Sequence, residues 1–383
     1  MAGFDLAKRV KEAVLKRIYE RFDARNDIDP DLFRHTWRYL NEAVDEGFGL
    51  DEGFGDPDYE FIRELKTNNA VFAAFKTHRQ QNDLAALLID DEGKPRSYHD
   101  FRKASEPVIE MYNVGWLMTE YTTAIRAART ASRFRRYMQD DDLFPNVRWL
   151  PSRAVDPREV HRKYYNTVRA LTDPWWKTHY PGCLWNCQCD MENTADPITH
   201  IGDRPVVPGE TSTKEEGPAT VPGLDRNPAF TGSIFTDNHP YVQKAYPGAG
   251  EAVEQFIGKE LSKEEIKQSR SIVREWAKTN LIGKRVQVKG LDKPVSFTST
   301  GIKEALNQPH KHLLEKNETV RHIVSMLKEA TYVRTDQDVK GRNYKYHYFE
   351  TKIAGEPSYI VIRENMDNKL VDFYSIVEKL KSD

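Results

Sequence analysis

Residues Pro174–Cys189 read PWWKTHYPGCLWNCQC and hold all three cysteines of the chain, three of its seven tryptophans, two prolines and a histidine. Cys187 and Cys189 are two apart, so on an extended backbone both side chains leave on the same side. Cys183, His179 and His161 lie close enough upstream to complete four ligands. Zinc accepts such nitrogen and sulfur sets, and a tetrahedral site would pin a segment that has no regular periodicity of its own. The spacing is not that of a zinc ribbon, because no second cysteine pair exists. The same residues also read as a buried plug, with Trp175, Trp176 and Trp185 packing around cysteines that act as small hydrophobes. A catalytic cysteine fits less well, since no basic group is placed to lower a thiol pKa. Three cysteines are an odd number, which argues against a disulfide framework and for a reducing interior.

Outward from this segment the first ~195 residues carry helical periodicity. AKRVKEAVLKRIYERF places Val10, Val14, Leu15 and Ile18 on one face. Asp29-Pro30 marks a helix start. Further helices are expected from about Tyr59 to Leu88 and, unbroken, from about Pro107 to Tyr137, the latter rich in Arg and Ala. Val147–Leu150 reads as a short strand, and Asp156-Pro157 as the start of a helix through REVHRKYYNTVRAL. Residues 196–249 are proline-rich and lose hydrophobic periodicity, so a linker is expected there. Residues 250–383 change class: a helix from Ser262 to about Asn280, short strands at 285–289 and 294–298, a helix over about 317–330, then strands in NYKYHYFETKI, SYIVIREN and KLVDFYSIVEKL. The expected fold is an α-rich domain over 1–195 and a small α+β domain over 250–383 with an antiparallel sheet.

One resemblance rests on the opening segment and the residues before it. Glu159-Val160-His161-Arg162, Val168-Arg169, Asp173-Pro174-Trp175-Trp176, Pro181-Gly182 and Trp185-Asn186-Cys187-Gln188-Cys189 resemble the signature of the phage Mu protein F-like head-morphogenesis family. The likeness covers roughly residues 60–195. It departs at Gln188, where the family carries arginine, and at Tyr164-Tyr165-Asn166, where a glycine is usual. It implies a minor head protein inside the virion, with portal and capsid proteins as partners, made in the bacterial cytoplasm.

The C-terminal module raises a second chemistry. Gln308-Pro309-His310-Lys311-His312 puts two imidazoles and an ammonium on one loop. Metal-free RNA cleavage needs a base for the 2′-hydroxyl, an acid for the 5′-oxygen and a cation for the phosphate charge, and histidine suits both proton roles. Ile360 and Ile362 share one strand face, which points Arg363 to the other; for Tyr374 and Ser375 the alternation leaves the facing set open. The same side chains also fit a solvated loop and ordinary strand positions. The strand–TGIK–His loop–helix–meander order resembles the phage-associated branch of the barnase–EndoU–colicin–RelE-like nucleases. That likeness implies an RNase toxin with RNA as substrate and an immunity protein as partner. It favours His310 or His312, Lys303, Arg363 and Tyr374 or Ser375 as catalytic residues, with no catalytic cofactor. No Asp/Glu cluster suggests a metal-dependent nuclease, and residues 281–383 contain no Glu-x-Glu pair of the kind an ADP-ribosyltransferase uses.

Charge adds little. The net charge is −2, which argues against a general nucleic-acid binder, although residues 281–383 carry 18 Lys and Arg against 14 Asp and Glu. No apolar run is long enough to span a bilayer, the N-terminus has no signal-peptide pattern, and no membrane partner is expected.

Overall fold

The computed structural model describes residues 4–20, 22–49, 58–201, 204–205, 220–338 and 341–380. They form two compact units, Met1–Gly258 and Lys259–Asp383. The first is helical: α1 (Lys8–Glu20), α2 (Pro30–Phe48), α3 (Tyr59–Ala86), α4 (Tyr98–Glu110) and α5 (Leu117–Tyr137). The start of α2 follows from local chemistry. The Asp29 carboxylate accepts from the N–H groups of Asp31 and Leu32, and Pro30 occupies the first helical turn. Arg17 of α1 grips the same carboxylate at 2.8–3.0 Å, tying the first two helices together. Later, Gly47 lets α2 lie against α5: a Cβ there would come within 2.5 Å of the Ala128 side chain.

The long helix expected over 107–137 is interrupted. Met111–Trp116 is a π-helical turn. It buries Tyr112 and Asn113, and the Asn113 side chain accepts from Gln80 of α3. Polar pairing of this kind carries no hydrophobic period, so the pattern ran through the break. After α5 come β1 (Asn146–Leu150), a single turn α6 (Glu159–Arg162), β2 (Val168–Ala170) and β3 (Asp190–Thr194), in the sheet order β2-β1-β3. The helix expected through REVHRKYYNTVRAL is therefore only α6. Asn166 takes a left-handed φ of 61°, and the chain turns there into β2.

The stretch read as a linker differs over its described residues 220–249. After the two-residue strands β4 (His200–Ile201) and β5 (Arg204–Pro205), the short helices α7 (Pro228–Thr231) and α8 (Pro240–Gln243) pack into the first unit. Leu224, Ile234, Phe235 and Tyr241 join a core with Leu40, Phe72 and Tyr112, and Phe235 stacks on Phe72 at 4.0 Å. Dispersed aromatics bury this segment without any repeat. The units divide at Gly258/Lys259, not at 195 and 249, within helical residues α9 (Ala249–Asn280). Pro208 and Pro218, part of the linker reading, lie outside the described residues.

The second unit is α+β as expected. β6 (Arg285–Val286), β7 (Val295–Ser296), α10 (Ser299–Asn307), α11 (Leu313–Thr319), α12 (Ile323–Glu329), β8 (Thr331–Gln337), β9 (Tyr344–Ile353), β10 (Glu356–Asn365) and β11 (Val371–Val377) follow one another. The sheet order is β6-β7-β11-β10-β9-β8. All pairs are antiparallel except β7–β11, so the sheet is mixed. Strand β8 was not foreseen, and the helix expected over 317–330 is α11 and α12 joined by a 3-10 turn at Val320–His322. Helices cover one face. Ile302, Leu306, Val320, Ile323 and Leu327 pack on Phe349, Ile360, Ile362, Phe373 and Ile376.

Candidate functional site

In the first unit the tryptophan–cysteine segment is fastened to α5. Arg126 donates to the Cys187 carbonyl at 2.6 Å, Thr130 to the Pro181 carbonyl at 2.6 Å, and the Asn186 N–H to Thr123 Oγ1 at 3.2 Å. Ala127, Ala128 and Ala131 are fully buried, which explains the alanine-rich half of that helix. Two more of its arginines are held by carboxylates: Arg133 pairs with Asp190 and Arg135 with Asp58, while Arg129 and Arg136 stay exposed.

His161 sits at the centre of the segment, buried against Trp149. Its Nδ1 lies 3.5 Å from Cys187 Sγ and 3.7 Å from Cys189 Sγ, while Cys183 Sγ is 3.5 Å from Nε2 on the opposite edge of the ring. All four residues of the expected ligand set thus meet, but Cys183 stands apart from the other three. His179 does not join them. Its ring stacks on Trp175 at 4.3 Å and its Nδ1 meets Thr178 and the Trp175 carbonyl. Burial pushes the Cys183 thiol up. The Cys187 thiol is held low, first by a hydrogen bond from Cys189 and then by His161.

In the second unit the open face of the sheet forms a groove. It is lined by Arg334, Asp336 and Asp338 on one side, by His310, Ser358 and Glu378 on the other, and by tyrosines between. A β-bulge decides the alternatives at β11. Val361 pairs with Ser375 but Ile362 pairs with Phe373, so Tyr374 is the extra residue. Phe373 goes to the core, and Tyr374 and Ser375 both line the groove.

Three residues of the expected catalytic set line the groove: His310, Tyr374 and Ser375. Three do not line the groove. Lys303 is exposed on α10. His312 faces Glu356 at 3.4 Å. Arg363 lies over the Tyr374 ring at 4.6 Å, but Asp372 holds it bidentately at 2.8 and 3.1 Å, so its charge is spent on a strand-to-strand pair. His347 packs beside Thr335 and Glu364, and His322 is exposed on its helical turn.

The His310 loop is fixed from several sides. His310 Nε2 is 3.2 Å from Ser358 Oγ, and its Nδ1 accepts the His312 N–H at 3.0 Å. A neutral imidazole that accepts at Nδ1 carries its proton on Nε2. Of the two proton roles the loop sequence offered, the ring therefore presents the donor at Nε2. Burial lowers its pKa, which favours that neutral form. Beneath the loop, buried Lys316 gives its ammonium to the carbonyls of Ala305 and Gln308 at 2.5 and 2.8 Å.

Sequence reasoning passed over Lys316, Ser358, Arg334 and Arg342. Only the tyrosines left a usable signal: Tyr344, Tyr346 and Tyr348 recur every second residue of β9, one face of a strand.

Burial lowers the Lys316 pKa to about 8. An unfolded lysine keeps its proton to about 10.4. Between these values the unfolded chain binds more protons than the folded one, so stability rises with pH. The expected result is a higher urea midpoint for the second unit at pH 9.5 than at pH 7.5, with this increment absent in Lys316→Met.

Comparison with known proteins adds kinship. Residues 264–374 match the family model of large polyvalent protein-associated domain 3, a span inside the second unit. A stretch of 103 residues, 27% of this chain, is 29% identical to the putative capsid assembly protein F of Escherichia phage Mu. These findings support a phage head-morphogenesis relationship. The aligned stretch makes up only 21% of that relative's length. No solved structure matches the chain. Among the described residues no helix is long and apolar enough to cross a membrane.

Proposed function

We propose that this chain is a phage minor head protein, a partner of portal and capsid proteins, whose second unit is a metal-independent ribonuclease. The observation that carries this is the groove, which gathers His310, Arg334, Arg342, Tyr346, Tyr348, Tyr374 and Ser375 on one open β-surface. Tyrosine faces suit stacked bases, and a sheet presents them side by side. Arg334 and Arg342 supply positive charge for a phosphate that displaces their present partners, Asp336 at 3.0 Å and Asp338 at 2.6 Å. The His310 Nε2–H, which rests on Ser358 Oγ at 3.2 Å, would turn from that serine to donate to a non-bridging phosphoryl oxygen. In the reaction the RNA 2′-oxygen bonds to phosphorus and the bond to the 5′-oxygen breaks. The 2′-proton leaves to a base, for which the lining offers Asp336, Asp338 and Glu378. The 5′-oxygen takes up a proton from water as it leaves, and a cyclic phosphate and a free 5′-hydroxyl result. A cell making such an enzyme would need an immunity protein against it.

The test is incubation of the full chain with single-stranded RNA in EDTA. Cleavage to cyclic-phosphate ends is expected, with 2′-deoxy substrate left intact and activity lost in His310→Ala. A folded wild-type chain that leaves RNA whole ends the proposal.

A second reading has its own support. Lys311, Arg334, Arg342 and Lys379 in the lining are balanced by Asp336, Asp338, Glu356 and Glu378, and His310 Nδ1 is already engaged. A charge-neutral, aromatic groove suits a protein segment of the head or portal. On that reading His310→Ala together with His312→Ala alters assembly or binding and leaves RNA untouched in all variants.

A further inference from the structure

We infer that His161 Nδ1, Cys187 Sγ and Cys189 Sγ bind a zinc ion that ties the tryptophan–cysteine segment to α6. This site lies in the first unit and does not depend on the ribonuclease reading. Three ligand atoms from two separate stretches of chain lie within 4.8 Å of one another. Their separations match the chemistry. With Zn–S near 2.3 Å and Zn–N near 2.05 Å, a tetrahedron has an N···S edge of about 3.6 Å. The two observed edges are 3.5 and 3.7 Å. A pair of S–H···N hydrogen bonds would have similar lengths, so the edges fit a shared ion and the test reads the metal directly.

The remaining neighbours fit. Cys183 lies against Nε2, so it can accept that N–H and fix the tautomer that leaves Nδ1 for the metal. The Arg126 bond to the Cys187 carbonyl and the left-handed backbone at Asn186 (φ 56°) set the direction in which Cys187 leaves the chain. Cys187 is buried and Cys189 half-buried, so the pair is shielded without being sealed. The fourth position of the tetrahedron falls to water. The segment has no regular structure beyond a 3-10 turn at Pro174–Lys177, and a metal crosslink between α6 and the Cys-x-Cys pair would close a loop of 28 residues (Cys189 to His161).

The experiment is elemental analysis of the full chain purified under reductant, with cobalt(II) exchanged into the wild-type protein. About one zinc per chain is expected, as for a single mononuclear site. It should be lost in Cys187→Ser and in Cys189→Ser and retained in Cys183→Ser. The cobalt form should show thiolate charge-transfer absorption and the intense visible bands of a tetrahedral centre. Because the cobalt measurement needs no variant, misfolding of a serine mutant cannot mask the answer. Wild-type protein that is folded and metal-free, or metal retained in both Cys187→Ser and Cys189→Ser, overturns the site. Loss of zinc from folded Cys183→Ser overturns the three-ligand assignment.

Discussion

Replacing Glu120 by alanine should destabilise the first unit by about 3–5 kcal/mol, the cost of stranding a buried charge. Lys76 of α3 is fully buried and its ammonium meets Glu120 Oε2 at 2.5 Å, with Glu120 nearly as deep. The other carboxylate oxygen accepts from the Tyr241 hydroxyl at 2.9 Å. One carboxylate therefore joins α3, α5 and the 220–249 segment. Burial already lowers the Lys76 pKa, and Glu120 is the group that opposes that shift. Without it the lysine must be buried charged and unpaired or give up its proton, and either is costly. The double replacement Lys76→Met with Glu120→Leu should recover most of the loss, because two apolar side chains need no desolvated partner. Tyr241 would still lose its acceptor, so a residue of about 1 kcal/mol should remain. Urea unfolding followed by tryptophan fluorescence is the measurement. Six of the seven tryptophans lie in Met1–Gly258, so the signal reports mainly this unit. A single-variant loss below 1 kcal/mol would show that Lys76 is not stranded when Glu120 is removed.

This ion pair also marks where the sequence stopped being legible. The helix start at Asp29-Pro30 and the three-strand meander could be read because caps, turns and a period of two are local. So could the convergence on His161, since Cys187 and Cys189 had to share a side. What could not be read was placed by contacts distant in the chain. Residues 220–249 look like linker because Leu224, Phe235 and Tyr241 are too sparse to form a period, yet all three are buried in one core with residues of α2, α3 and α5. The π-helical turn is held by Gln80 to Asn113, a polar pair 33 residues apart. In the groove, the choice between Tyr374 and Ser375 assumed strict alternation, and one bulge brings both to the groove lining. Arg363 was aimed correctly at the open face, but its partner Asp372 is set by strand register, which a single strand does not reveal.

Replacing Gly301 by alanine should destabilise the second unit by about 3 kcal/mol or more, although alanine is the better helix former. The glycine lies in the first turn of α10, where its N–H donates to the capping Thr298 Oγ1 at 3.1 Å. An alanine Cβ would come within 1.8 Å of the Phe373 carbonyl oxygen and 3.0 Å of its carbon. Those are backbone atoms of a central strand, so they cannot swing aside as a side chain would. Helix propensity offers about 1 kcal/mol in favour of alanine, which is too little to offset moving α10 bodily away from β11. Ile302, Ala305 and Leu306 would lift from Phe373 and Ile376 with it. The Thr298 hydroxyl contact to Asp372, the residue that holds Arg363, would go too. Hydrogen exchange should therefore quicken together in peptides from 299–307 and 371–377, while peptides from α2 and α5 keep wild-type rates. Unchanged exchange in β11 would mean that the strand yields at little cost and that Thr300-Gly301-Ile302-Lys303 owes its glycine to something other than this close approach.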